Sequence, residues 1–419
     1  MRVLLLNDLI PPENRGEAGA AVWQLAQGLR DAGHDIHLIA ATEQPSFSEE
    51  RDGIPTYHIH SQYHERWRAW RSLHNPQTLP ELRKLYAQIQ PEVINAHNIH
   101  RDLSYDSLKL AHQMGIPAVF TSHDVMPFAY TKLSHFINKD NCDNQPEDYK
   151  LPSFYNLRRM GFRYNPWRNW VIRRILMQHT QVRTAPSQAL CDAQRVNGLP
   201  PFTCVYNGVD VGQFQASDES IQALRQRYGL EGRKVLLFAG RLTGAKGTRP
   251  LLDALRIVVR EIPETALLVL SSTPIAEQLA NNAYAELAQN HLVSGGWLAE
   301  DELAAAYHLS DVVVMPSIIF ESFGMVLVEA MAARKPAIGG CFGGTNEVVL
   351  DGETGFLVNP HQTSDLAERI LLLLRDADLR QKMGEVGYQR AVSVFSLENQ
   401  VQQMVNIYQQ ARVLHSSAT

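Results

Sequence analysis

The sequence predicts an α/β protein of two doubly wound domains, each a parallel sheet with helices on both faces. Three observations predict it. With 419 residues the chain is too long for one ordinary core. Short β-like runs alternate with helical periodicity from end to end. That alternation is interrupted by the Gly-, Asn-, Asp- and Ser-containing stretch "CVYNGVDVGQFQASDES" at 204–220.

Each element has its own signal. "RVLLLND" is an apolar run that soon reaches Asn7 and Asp8, so it reads as a strand and not as a signal peptide. In "AAVWQLAQGLRDAG", Val22, Leu25, Ala26 and Leu29 repeat at helical spacing and Gly33 stops the helix. Strands follow at "DIHLIAA", "TYHIH", "EVINAH", "PAVFTSHD" and "TQVRTAPS". A second series runs through "KVLLFAG", "ALLVLSS", "HLVSGG", "DVVVMPS" and "KPAIGG". The expected division is 1–205, 206–395 and a polar-rich terminal helix over 396–419 that packs back on the first domain. Ligands of open α/β sheets bind beyond the carboxyl ends of the strands, which places the expected site in a cleft between the two domains.

Composition narrows the classes. The chain is 45% hydrophobic and 20% charged with net charge −5, as in a soluble globular protein. Of its charges, 22 Lys+Arg and 20 Asp+Glu fall in the first 200 residues, leaving a basic first half and an acidic second half. Neither half is basic enough for a dedicated nucleic-acid binder. No run approaches the roughly 18–20 apolar residues of a spanning helix. Cys142, Cys191, Cys204 and Cys341 are scattered without a CxxC pair, which predicts reduced thiols in a cytosolic protein.

Two segments carry chemistry. "ESFGMVLVE" places Glu321 and Glu329 around an apolar run, with Ser322 expected to cap a helix from Phe323. The acids then stand roughly 10–12 Å apart along the axis, with the unpaired N–H groups of a helix start between them. Acid, anion site, acid suits a ligand made of sugar, diphosphate and ribose; two solvated acids flanking a core helix is the alternative. "FAGRLTGAKGTRPLLDAL" puts Arg241 and Lys246 in a loop with Gly240, Gly244 and Gly247. The cations could neutralise a diphosphate, or be ordinary solvated loop charges. The loop is not a P-loop, and no GxGxxG opens either half, so a dinucleotide-dependent dehydrogenase is a poor fit.

With "PSIIFESFGMVLVEAMA", "GRLTGAKG", "FGGTNEVVLDGETGFLV" and "GEAGAAVWQLAQGLRDAGHDIHLIA", the chain resembles the large retaining glycosyltransferase family 4, of GT-B fold, over nearly its whole length. The resemblance implies two facing Rossmann-like domains. It implies that Arg241 and Lys246 hold the donor diphosphate and that Glu321 binds the transferred sugar, with the backbone of Phe323, Gly324, Met325 and Val326 alongside. Glu329 would bind the ribose, and Gly296 and Trp297 of "SGGWL" would border the base. His123 of "TSHD" matches a histidine near the donor sugar, although it could be an ordinary strand-end histidine. Gly16 and Gly19 match a glycine-rich loop between donor and acceptor, and Glu17 stands where many relatives have a further glycine. Arg334 likewise replaces a common glycine, and Thr345–Asn346 a common apolar–Pro pair.

The implied reaction is transfer of a hexose-type unit from a UDP-, GDP- or ADP-sugar to a hydroxyl acceptor with retention. The departing phosphate takes the acceptor's proton, so no enzymic base is needed. The alternatives are a catalytically silent nucleotide-sugar-binding subunit and a sucrose-type or other small-acceptor enzyme. No metal is expected, since the two cations can carry the leaving-group charge. Asp376–Ala377–Asp378 reads as a turn at a helix end, and "HNIH", His97 to His100, as strand-end polarity.

Residues 150–191 hold eight Lys+Arg, interleaved aromatics and no Asp or Glu, and "YHERWRAWR" repeats the theme. A core-facing helix with a basic solvated side and a groove for an anionic soluble acceptor are two readings. The third, adopted as the expectation, is peripheral contact with an anionic membrane carrying a lipid-linked or envelope-glycan acceptor, on the cytoplasmic inner face.

Overall fold

The computed structural model describes residues 1–11, 17–273 and 284–417. The chain divides into two compact units, Met1–Leu133 with Pro146–Gly208 and Leu397–Thr419, and Ser134–Gln145 with Val209–Ser396.

The strands of unit 1 are β1 (Arg2–Leu6), β2 (Asp35–Thr42), β3 (Phe47–Arg51), β4 (Ile54–His60), β5 (Val93–Ala96), β6 (Ala118–Thr121), β7 (Val182–Ala185) and β8 (Thr203–Cys204). They form one sheet in the order β3-β4-β2-β1-β5-β6-β7-β8, parallel except for the β3–β4 pair. β1 is a continuous buried run, as a strand covered on both faces should be. The helix Glu17–Asp31 turns Val22, Leu25, Ala26 and Leu29 into the core. The C-terminal helix Leu397–Ser416 joins the same core through Val401, Met404, Ile407 and Tyr408. The two helices approach closely at Gly28, where a Cβ would lie 2.8 Å from Val401 Cγ2. Asn95 Nδ2 donates to the Tyr408 hydroxyl at 2.9 Å, which ties this terminal helix to the middle of the sheet.

Unit 2 has β9 (Lys234–Ala239), β10 (Thr265–Leu270), β11 (Leu292–Gly296), β12 (Val312–Met315), β13 (Ala337–Gly340) and β14 (Gly355–Val358). These six lie in the parallel order β11-β10-β9-β12-β13-β14. The helix Thr248–Glu261 buries Leu251, Leu252, Leu255 and Val258 at the spacing of one helical face. Each sheet winds outward in both directions from a central pair, β1/β5 in unit 1 and β9/β12 in unit 2. A crevice opens beyond the carboxyl ends of such a pair.

Three strands escape the sequence reading. β3 is an edge strand with four exposed residues and no apolar alternation, β8 has two residues, and β14 follows a turn-rich stretch. The thiol expectation is overturned at two positions: Cys142 and Cys341 form a disulfide, while Cys191 and Cys204 remain thiols. Composition could not show this, because 199 residues separate the pair and only the fold brings them together. The bond fastens the segment Ser134–Gln145 onto unit 2. Phe136 there stands edge-on to Phe320 and Phe342, with ring centroids 6.1 and 6.2 Å apart. Asn359 Nδ2 donates to the carbonyls of Asn138 and Asn141 at 3.0 and 3.1 Å. Thiol titration of the unfolded, unreduced protein should therefore count two free thiols and, after reduction, four; four before reduction would show that the disulfide is absent.

Candidate functional site

In unit 2 the site grows from the two central strands. β9 ends at Ala239, and the loop beyond it carries Arg241, a 3₁₀ turn over Gly244–Lys246 and Gly247 at φ 75°. Gly247 has no alternative here: a Cβ would lie 1.8 Å from the Pro316 carbonyl oxygen. That approach presses the loop onto the chain leaving β12, and Ile318 N–H donates to the Ala245 carbonyl at 3.0 Å. Lys246 Nζ consequently meets Glu321 Oε2 at 2.9 Å, and Ser317 Oγ donates to the same oxygen at 2.9 Å. Glu321 is buried. Its backbone is clamped as well, its N–H donating to Phe342 O at 2.9 Å and its carbonyl accepting from Gly344 N at 2.7 Å. Gly343, at φ 93°, makes that clamp possible, since a Cβ would sit 2.3 Å from Glu321 O.

The helix after Glu321 spans Met325–Ala332 and starts later than expected. Ser322 does not cap it: Gly324 occupies the cap position at φ 98°, with no side-chain cap. A left-handed residue is required there, and Met315 Cε would crowd any Cβ at 2.9 Å. Leu327 N–H bonds back to Gly324 O, which leaves the N–H groups of Met325 and Val326 without an intrahelical acceptor. Phe323, Gly324, Met325 and Val326 are all buried. Glu329 lies in the second turn, where the buried Tyr307 hydroxyl donates to its Oε2. Phe214 braces Tyr307 edge-on at 5.5 Å. At the end of β11, Gly296 adopts φ 69° and Trp297 is exposed. Arg241 is exposed and makes no ion pair among the described residues.

The central strands of unit 1 also end in polar groups. Asp8, just past β1, accepts backbone N–H bonds from Arg101, Asp102 and Leu103 at 2.7–2.9 Å, which shapes the loop after β5. His97 Nδ1 and His123 Nε2 are 2.9 Å apart. Burial lowers the pKa of both rings, that of His123 to about 4, so both are neutral at pH 7 and one N–H faces one lone pair. Burial opposes ionisation of Asp124, but His100 beside it and the Met126 N–H bring its pKa down to about 2. Burial, with Asp8 nearby, pushes Asp102 up to about 6.

Two family models tile the chain: "Glycosyltransferase Family 4" over residues 18–213 and "Glycosyl transferases group 1" over 220–390. The chain belongs to glycosyltransferase family 4. Among its relatives in the family, the α-D-kanosaminyltransferase of Streptomyces kanamyceticus is 26% identical over 251 residues, 59% of this chain and 64% of that one. The GDP-mannose-dependent α-(1-6)-phosphatidylinositol monomannoside mannosyltransferase of Mycobacterium tuberculosis is 32% identical over 211 residues, 49% of this chain and 53% of that one. The chain thus spans between about half and two thirds of the length of these curated relatives. The solved structure of Anabaena HepE with UDP-glucose matches at TM-score 0.72 and 21% identity, covering 98% of this chain and 99% of that one, and shows the fold to be GT-B.

In this family 4 chain the structure brings Lys246, Glu321 and the helix start at Met325 together at the centre of unit 2. Ser317 and Tyr307 were missed by sequence reasoning; neither has a motif, and only packing shows that each holds one of the two acids. His123 lies two residues beyond the end of β6 in unit 1, and Gly19 is buried in the helix Glu17–Asp31. Gly16 and the Glu17 side chain lie outside the described residues. Asp376 caps the helix Ala377–Val394 by accepting from Leu379 N–H at 2.8 Å, a structural role for the Asp-Ala-Asp triplet. Among the described residues no three His, Cys, Asp or Glu stand together as metal ligands. Arg334, the departure from glycine, still takes the glycine-like φ of 57°, with its guanidinium 3.4 Å over the Tyr388 ring and paired to Glu385. Thr345, the other departure, is buried and donates to Gly340 O at 2.5 Å.

The pH behaviour of unit 1 follows from opposed groups. Asp102, with its folded pKa raised to about 6, stabilises below its ordinary value near 3.8, and that contribution is lost as pH rises through 6. His123, with its folded pKa lowered to about 4, stabilises above 6.5 and loses that contribution as pH falls towards 4. Asp102→Asn should therefore raise the melting temperature at pH 7.5 and lose most of that advantage by pH 4.5. An equal shift at both pH values would show that Asp102 carries no burial cost.

Proposed function

We propose that the chain is a retaining glycosyltransferase that moves a hexose-type sugar from a nucleoside-diphosphate sugar to a hydroxyl acceptor, in glycan, glycolipid or polysaccharide synthesis. The observation that carries this reading is the Lys246–Glu321–Ser317 cluster at the central strand pair of unit 2, with Arg241 on the same loop and a helix start beside it. Arg241 and Lys246 neutralise the diphosphate, one as a fork and one as a point charge. The Met325 and Val326 N–H groups favour phosphate oxygens. Glu321, fixed by Lys246 and Ser317, accepts from sugar hydroxyls. Glu329, oriented by Tyr307, accepts from the ribose, and Gly296 and Trp297 border the base. His123 is neutral and suited to a sugar hydroxyl; Gly16 and Gly19 are assigned to the loop between donor and acceptor by the resemblance alone, and Glu17, a departure from the family's glycine, adds a carboxylate to that loop that faces donor or acceptor.

Retention requires little acid–base machinery. The leaving phosphate takes the acceptor proton on the same face, and the protein supplies position and charge stabilisation. The two cations supply that charge, so the reaction needs no metal. The acceptor is a lipid-linked or envelope glycan, met at the inner face of a membrane.

Release of nucleoside diphosphate from UDP-glucose, GDP-mannose or ADP-glucose by purified protein tests the reading. Lys246→Ala should lower kcat by on the order of 10²–10³, and Arg241→Lys should fail to replace the fork. Near-normal turnover in both would remove the loop from the mechanism, and activity abolished by EDTA and restored by Mg²⁺ would make a metal the charge stabiliser. Glu321→Ala should spare affinity for free nucleoside diphosphate while Glu329→Ala weakens it. Equal effects of the two would refute the sugar-end and ribose-end assignment.

A further inference from the structure

The core of unit 1 hides one tryptophan, Trp23, at 4% exposure, yet the same unit leaves four others in solvent. They come from two segments distant in sequence. One is the 3₁₀ turn Glu65–Trp67 with the short helix Arg68–Arg71; the other is the helix Tyr155–Met160, the turn Gly161–Arg163 and the helix Arg168–His179. A small separate core of Ala69, Tyr130 and Tyr164, flanked by Met126 and Met160, holds the two side by side. The buried Arg168 guanidinium bolts them together: Nε donates to Ser72 Oγ at 3.3 Å, Nη1 to Met126 O at 2.8 Å, and the group lies 5.0 Å over the Tyr130 ring.

The outward side of this seam is apolar where it should be polar. Trp67 is 48% exposed, Trp70 49%, Phe154 71%, Trp167 68%, Trp170 58% and Phe162, at the tip of the turn, fully. The aromatics are not the core face of the long helix. That face is Ile172, Ile175 and Leu176, whereas Trp170, Arg173, Arg174 and Met177 form a separate exposed stripe at spacings of three and four. Exposed aromatic area of this extent marks an interaction surface.

Charge selects the partner. Arg158, Arg159, Arg163, Arg173 and Arg174 are all exposed among these aromatics, and residues 150–191 contain no Asp or Glu. Arg174 lies 5.6 Å over Trp170 and Arg66 lies 5.3 Å over Trp67, so cation and ring are presented together. In the first segment the acid Glu65 is paired with Arg68 at 3.3 Å. Two of the cations counted in the sequence serve the fold instead: Arg168 as described, and Arg183, which donates to the carbonyls of Pro201, Leu176 and Thr180. Cations that draw in anionic headgroups, together with indoles that settle at the headgroup level, are the chemistry of a bilayer surface. No helix among the described residues is long and apolar enough to cross a membrane, so the contact is interfacial.

We propose that this paired-segment face of unit 1, with Phe162, Trp167 and Trp170 at its centre and the exposed arginines around them, docks on an anionic lipid bilayer. The proposal locates the membrane partner given above, and its assay needs no turnover, so failure of docking and failure of the transferase reading are separate results. The protein is sedimented with vesicles of phosphatidylcholine alone, or mixed with phosphatidylglycerol, at about 25 mM and about 500 mM NaCl, which spans the screening range. Binding to the anionic vesicles should exceed binding to neutral ones by at least about tenfold at low salt and fall at high salt. Phe162→Ser with Trp167→Ser should weaken it severalfold with an unchanged melting temperature, since both side chains are exposed. Arg158→Glu with Arg159→Glu should abolish the preference for anionic lipid. Equal binding to both vesicle types at low salt, or none, overturns the proposal. So does an unchanged affinity in the aromatic variant, or retention on a soluble polyanion such as heparin without vesicle binding.

Discussion

The contact between Lys246 and Glu321 is the constraint on which the centre of unit 2 depends. It joins the loop after β9 to the loop after β12, the two strands from which the sheet winds apart. An ammonium and a largely buried carboxylate are costly to hold apart from water singly, and removing one partner of such a pair can cost about 3–5 kcal/mol. Together, with Ser317 on the same oxygen, they are mutually satisfied. The backbone around them is arranged to allow it. Gly247 permits the approach to Pro316, Gly343 permits the approach to Glu321, and Gly324 turns the chain into the following helix. A methyl group at Gly247 or Gly343 would collide with backbone, and Gly324 needs its left-handed φ, so these glycines permit the loop approaches that bring the ion pair together.

Unit 1 solves a related problem with neutral groups. Where β1, β5 and β6 end, burial keeps the His97 and His123 rings uncharged, and Asp8 accepts from three backbone N–H groups. The result is a set of polar groups with hydrogen-bonding capacity and little cationic charge, whereas the site of unit 2 is charged. Neutral donors and acceptors suit hydroxyls; fixed cations and helix N–H groups suit phosphates.

Much of this was legible in the sequence because its signals are local. The buried strands β1, β9 and β12 are continuous apolar runs, and Val22, Leu25, Ala26 and Leu29 declare their helix by spacing. Arg241, Lys246, Glu321 and Glu329 sit in motifs with recognisable chemistry. What stayed hidden is non-local or lacks a pattern. Ser317 and Tyr307 matter only through the carboxylates that they reach, Cys142 and Cys341 are brought together by the fold, and β3 is an exposed edge without alternation. The misplaced helix start has a sharper cause: Ser322 is a good capping residue by type, but the left-handed φ at Gly324 delays the helix until Met325. Arg334 shows the converse, a residue without glycine's freedom that keeps glycine's backbone, braced by Tyr388 and Glu385.

The central claim is that Lys246 and Glu321 act as one unit on the sugar–phosphate end of a donor. A double-mutant cycle of Lys246→Met and Glu321→Gln, read by calorimetric affinity for a nucleoside diphosphate and for its sugar conjugate, tests it most directly. The predicted result for the sugar conjugate is a coupling of about 0.5–3 kcal/mol, with the double variant losing less than the two single losses together. For the free nucleoside diphosphate the coupling should be smaller. Additive losses with both ligands would contradict the account, because the two side chains would then be binding independently.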